Sequence, residues 1–134
     1  TSNGKYIAPQ MIESLLLVDK FVDQIAVIAD QRKFVSALIV PEFNTLEKWA
    51  RDKGIFYNSL EELCANQEIN DMMKERIDTL LQGLANYEKI KRFTLLPHHF
   101  AMKTGELTNT LKMRRPVIYK KHKDIIDKMY EENQ

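Results

Sequence analysis

Apolar and polar positions recur along this chain with two periods, and those periods mark out its elements. Pro9 suits the first turn of a helix, where its missing N–H costs nothing. Ile12, Leu15 and Leu16 then give that helix a stripe at i, i+3, i+4 that ends near Asp19. Ahead of it, Lys5-Tyr6-Ile7-Ala8 reads as a short extended segment. Gln24 to Ala29 and Phe34 to Val40 are aliphatic, β-branched runs separated by Asp30-Gln31-Arg32-Lys33. They predict an antiparallel hairpin, apolar on both faces and therefore covered by helices, with Pro41 ending it.

Further along, Leu46, Trp49 and Ala50 share one face of a helix that stops at Gly54. Ser59 with Glu62 three positions later is a capping-box signature for a short helix. A longer one starts near Gln67 and spaces Ile69, Met73, Ile77, Leu80 and Leu84 along one side. Ile90 to Leu96 alternates as a third strand, and Pro116 opens a final helix carrying Ile118, Ile125 and Met129. The expected fold is α+β: a small antiparallel or mixed β-sheet with a short N-terminal extended segment, packed against several helices. No internal repeat or low-complexity linker interrupts it.

Composition agrees with one globular domain: 134 residues, 44% hydrophobic and 29% charged. The single Cys64 excludes an internal disulfide. No apolar run approaches the roughly 20 residues of a membrane helix, and no signal peptide opens the chain. These features read as a soluble, cytoplasmic domain. The chain starts without Met, directly on turn chemistry, and so reads as a piece of something longer.

Charge changes the picture more. The formal sum of +1 hides an acidic middle and a basic C-terminal third. Residues 42–88 hold five bases and ten acids, whereas residues 89–128 hold eleven bases and three acids. Such a basic stretch is either a solvated face or one that meets phosphate or carboxylate. Nucleic acid is a poor fit, because single-strand binders interleave aromatics for stacking. Between Gly105 and Lys128 only Tyr119 is available besides His122.

Most other candidates for chemistry read as structure. Neither GxGxxG nor GxxxxGK[ST] occurs. His98-His99 lacks a second ligand pair at metal spacing, so no metal site is assigned. Cys64, Met72 and Met73 read as core, and Glu61-Glu62 as a solvated face. The exception runs from Lys103 to Arg115, a Gly-containing, hydroxyl-rich segment with Lys112 just ahead of Arg114 and Arg115. It reads as a mobile cationic finger able to reach an oxyanion or phosphate. Spacing alone leaves a generic basic loop equally open.

Two separated motifs carry a resemblance. Thr1-Ser2-Asn3-Gly4-Lys5-Tyr6-Ile7-Ala8-Pro9-Gln10, with Ile12-Glu13, resembles the start of the C-terminal domain of adenylate-forming enzymes. Gly105-Glu106-Leu107-Thr108-Asn109-Thr110-Leu111-Lys112-Met113-Arg114-Arg115 resembles the lysine motif near their end. The wording is that of the long-chain fatty acid–CoA ligases (acyl-CoA synthetases), and the likeness runs the full chain. Asn3 stands where the family often has glycine, and Pro116 where it more often has a basic residue.

The resemblance implies that residues 1–134 are the mobile C-terminal lid domain of an acid–thiol ligase. The large N-terminal AMP-binding domain and the hinge are expected outside this chain. Fatty acid, ATP and coenzyme A would be the substrates, with Mg2+ accompanying ATP, all held mainly by that N-terminal domain. Lys112 would be the catalytic lysine of adenylation, and Gly4, Lys5 and Tyr6 would help wall the coenzyme A tunnel. The fragment alone would be inactive, and the complete enzyme could still associate peripherally with a membrane. The alternative is a non-catalytic interaction domain that shares the fold.

Overall fold

The computed structural model describes residues 5–131. Its elements run α1 (Pro9–Leu17), β1 (Val22–Ile28), β2 (Val35–Pro41), α2 (Phe43–Asp52), α3 (Leu60–Ala65), α4 (Gln67–Leu80), β3 (Ile90–Leu95), α5 (Arg115–Lys121) and α6 (Lys123–Met129). A single 3₁₀ turn at Asn86–Glu88 leads into β3. The three strands form one mixed sheet in the order β1-β2-β3, with β1 antiparallel and β3 parallel to β2.

Period-two alternation divides the strands between two cores. Ile25, Val27, Val35, Ala37 and Ile39 face α1, α2, α3 and α4. Ala26, Ile28, Leu38 and Val40 face the other way, against Leu96, Phe100, Ile118, Ile126 and Met129. A strand covered on both faces has to be apolar at nearly every position, which is why the hairpin reads as continuous aliphatic runs. Its turn uses Gln31 at φ 55°, and Tyr130 closes it by stacking on Phe34 at 4.4 Å and donating to the Phe34 carbonyl at 2.7 Å.

Local chemistry sets the helix ends. Gly54, at φ +73°, stops α2 while its N–H and that of Ile55 satisfy the carbonyls of Arg51 and Ala50. Ser59 Oγ accepts from the Glu62 N–H at 3.1 Å, but the Glu62 carboxylate takes the Asn58 N–H rather than that of Ser59. Asn66 ends α3 and caps α4 through the Ile69 N–H.

The segment Lys5-Tyr6-Ile7-Ala8 runs into α1 without joining the sheet, with Ile7 buried in the first core. Other expectations change. The final helix is two, broken at His122, and the break rotates Ile126 inward in place of Ile125. On α1 the buried partner of Ile12 and Leu16 is Glu13, while Leu15 is partly exposed.

That buried glutamate solves a problem of the sheet. β1 is an edge strand, so the Val27 N–H and C=O point out of the ladder, between two apolar layers and away from water. Glu13 Oε2 accepts the Val27 N–H at 2.8 Å. Arg115 then grips both Glu13 oxygens, at 2.6 and 2.8 Å, and Tyr119 donates to the Val27 carbonyl at 3.0 Å. The fork geometry makes this the strong form of a charge-assisted pair. It ties α1 on one face to α5 on the other around the sheet edge.

Removing the carboxylate strands both a buried amide and a guanidinium. Glu13→Ala should therefore lower unfolding free energy by about 2–4 kcal/mol in urea titrations. An exposed acidic residue such as Glu61 should change it by less than about 0.5 kcal/mol when replaced.

Candidate functional site

The basic segment between β3 and α5 is folded on itself by backbone and side-chain hydrogen bonds. Leu107 and Met113 pair as an isolated antiparallel bridge. The Thr108 N–H donates to the Lys112 carbonyl at 2.8 Å, the Lys112 N–H to Thr108 Oγ at 3.1 Å, and the Leu111 N–H to the Thr108 carbonyl at 2.9 Å. The result is a small hairpin whose three connecting residues are Asn109, Thr110 and Leu111. Such loops combine a turn with a left-handed residue that is ordinarily glycine. Here that residue is Leu111, at φ 65° and 66% exposed. A branched side chain there carries strain of roughly 1–2 kcal/mol, and strain of this kind clusters at functional sites.

Lys112 directly follows the strained residue. It is exposed, and among the described residues it is in no ion pair. It lines a groove of about 530 Å³ that the hairpin forms with α1 and β1, together with Gln10, Ser14, Asp23, Gln24 and Leu107. A compact ammonium lining a groove on a hydrogen-bonded turn is suited to meeting an oxyanion.

Both feet of the hairpin are anchored by buried carboxylates. Glu106, only 1% exposed, receives Thr104 Oγ, His122 Nε2 at 2.8 Å and Lys121 Nζ at 3.3 Å. Burial alone pushes this carboxyl upward, but the hydrogen bonds from Thr104, His122 and Lys121 outweigh it and hold the group below its ordinary value. Gly105, at φ +78°, makes the backbone turn that delivers it. On the far side, Arg115 is held by Glu13, whose hydrogen bond raises the guanidinium pKa further above its ordinary value. Gln24 secures the approach by accepting from the Phe100 N–H at 2.7 Å and donating to its carbonyl at 3.2 Å.

The other residues singled out by sequence lie elsewhere. Lys5 Nζ sits 4.9 Å from the centroid of the Tyr87 ring, and Tyr6 is 83% exposed. Gly4 lies outside the described residues. The structure thus puts Lys5 beside the approach to β3 and Lys112 on the groove lined by α1, β1 and the hairpin. His99 pairs with Asp23 at 2.5 Å beside Phe43, as a surface contact. Buried Cys64 has its thiol pushed up to about 11 by desolvation and the nearby Glu61, which makes it a poor nucleophile. Among the described residues no group of three His, Cys, Asp or Glu side chains could hold a metal ion. No helix among them is long and apolar enough to cross a membrane.

Sequence reasoning passed over Glu13, Glu106 and Leu111 as working parts. For Glu13 the available signal was a charge beside Ile12 on the buried side of α1; for Glu106, a lone acid inside a basic run.

Against known proteins, a family model described as the AMP-binding enzyme C-terminal domain matches residues 1–134. The human long-chain-fatty-acid–CoA ligase 1 is 35% identical over 132 residues, covering 96% of this chain and 19% of the ligase. The peroxisomal long chain acyl-CoA synthetase 7 of Arabidopsis thaliana is 31% identical over 134 residues, covering 98% of this chain and 19% of that protein. The chain thus spans about a fifth of the length of these relatives. Among solved structures, the adenylation domain of a carboxylate reductase from Mycobacterium chelonae superposes with a TM-score of 0.78 at 20% identity. That alignment covers 97% of this chain and 19% of the reductase chain, and it supports the fold alone.

The Glu106 geometry has a direct consequence for acid stability. A carboxyl held below its unfolded value contributes stability that is present at neutral pH and lost as pH falls through the folded value. Glu106→Gln should unfold more easily than wild type at pH 7, and the difference should shrink as the solution is acidified. Thermal melts across the acid range measure it; a gap that widens on acidification contradicts the assignment.

Proposed function

The chain belongs to the AMP-binding enzyme C-terminal domain family, and from that membership we propose that it is the mobile C-terminal domain of an ATP-dependent long-chain fatty acid–CoA ligase. In the first half-reaction a fatty-acid carboxylate oxygen attacks the α-phosphorus of ATP, forming the acyl-adenylate and releasing pyrophosphate. In the second, the thiol of coenzyme A attacks the acyl carbon. The bond from acyl carbon to the AMP oxygen breaks, the thiol proton is lost, and thioester and AMP leave.

Lys112 acts in the first step. Its ammonium meets the acyl carboxylate and α-phosphate oxygens and offsets the negative charge that concentrates there as the new bond forms. The contribution is electrostatic and orienting rather than acid–base. The observation that carries this reading is that Lys112 lines the groove on a hairpin with left-handed Leu111 and with both feet anchored.

For the second step the domain turns about a hinge, and Gly4, Lys5 and Tyr6 come to wall the pantetheine path. ATP, its Mg2+ and the acyl chain are held by the larger N-terminal domain. No step is assigned to the metal here, since the described residues offer it no ligand cluster. The domain by itself catalyses nothing.

In the complete ligase, Lys112→Ala should depress fatty-acid-dependent pyrophosphate exchange by about 10²–10³-fold, while thioester formation from supplied acyl-adenylate is spared. Equal loss in both half-reactions would refute the assignment. Gly4→Trp should do the reverse and slow the coenzyme A step. Unchanged thioester formation in that variant would remove the opening segment from the tunnel.

A further inference from the structure

The link between Lys112 and the sheet edge runs through one side chain. Arg115 lies three residues beyond Lys112, at the first position of α5 where the returning limb of the hairpin ends, and its guanidinium reaches α1. It forks onto Glu13 of α1 at 2.6 and 2.8 Å, and its Nη1 also reaches the Val27 carbonyl at 3.4 Å. Glu13 is 4% exposed and is fixed in turn by the Val27 N–H. Every atom in this chain of contacts is therefore held by a neighbour, from the β1 backbone through α1 to the foot of the hairpin.

The other foot is different in kind. Glu106 is met by Thr104, Lys121 and His122, which belong to its own loop and to the α5–α6 corner. That foot secures the hairpin to the C-terminal layer, but it does not set the distance to α1. The groove beneath Lys112 has α1 and β1 as its walls, through Gln10, Glu13, Ser14 and Gln24. The Arg115 foot joins the hairpin directly to α1, while Gln24 of β1 holds the Phe100 backbone on the approach to it.

We infer that Glu13 and Arg115 form a positioning pair for adenylation: they hold the Lys112 limb in register with the α1–β1 groove. This rests on the reading of Lys112 given above. The pair touches no substrate; it acts through the lysine. Arginine is required for the fork, since a lysine at position 115 would keep the charge and lose the bidentate grip.

A double-mutant cycle in the complete ligase tests this. Arg115→Met should reduce fatty-acid-dependent pyrophosphate exchange roughly tenfold to a hundredfold, the scale expected for a charge displaced by about 1 Å. Thioester formation from supplied acyl-adenylate should stay close to wild type. In a Lys112→Ala background the same Arg115→Met change should cost almost nothing more, because its effect passes through the lysine. A full repeat of the Arg115→Met loss in that background, or equal loss in both half-reactions, would overturn the inference and leave the role of Lys112 standing. Adenylation unaffected by Lys112→Ala would remove both. Where Arg115→Met fails to fold, Arg115→Lys enters the same cycle under the same criteria.

Discussion

A strand at the edge of a sheet, covered on both faces, has nowhere to put its outward amide and carbonyl. At Val27 this chain answers with a buried carboxylate, a forked guanidinium and a phenol, brought in from opposite layers. The surrounding architecture depends on that answer. It fixes α1 against β1, fixes α5 across the edge, and leaves the hairpin between β3 and α5 with only one way to return. Burying charge is costly unless every lone pair and proton is met. The near-complete pairing of Glu13 explains why a glutamate is tolerated at a helix position where its neighbours Ile12 and Leu16 are wholly buried.

The uneven charge along the chain takes on a different meaning in three dimensions. The basic third is not a uniform cationic face. Arg115 is neutralised by Glu13, Lys121 and His122 face Glu106, and Lys123 pairs with Asp127 at 2.6 Å. The two carboxylates that do most of this are buried, so the pairs act as fasteners and add little outward field. Lys112 is one of several exposed cations of this third that are in no ion pair among the described residues, and it is carried on a hydrogen-bonded turn. Electrostatic work in an active site favours this arrangement, because a charge already in place needs no reorganisation when substrate charge develops.

Much of this was legible in the sequence. Continuous aliphatic, β-branched runs marked both strands of the hairpin, Pro9, Pro41 and Gly54 placed three boundaries, and Ser59 marked α3 through its real capping bond. The parallel pairing of β3 with β2 was open to either sense, since three helices intervene and strand direction depends on the crossover. What could not be read were contacts between residues far apart in sequence. Glu13 and Arg115 are separated by about a hundred positions, and each alone resembles a surface charge. The hairpin escaped notice because its left-handed position holds Leu111 in place of the glycine that advertises such turns. His122 gives no propensity signal for a helix break; its tie to Glu106 is tertiary.

Native-state hydrogen exchange at one backbone amide reaches the centre of this account. The Val27 N–H has no strand partner on its side, and its protection rests on the Glu13 carboxylate that Arg115 holds in place. It should exchange as slowly as amides inside the β1–β2 ladder. Exchange close to the rate of a solvated edge amide, with the ladder itself protected, would mean that no carboxylate closes the edge and that the hairpin bearing Lys112 is not held as described.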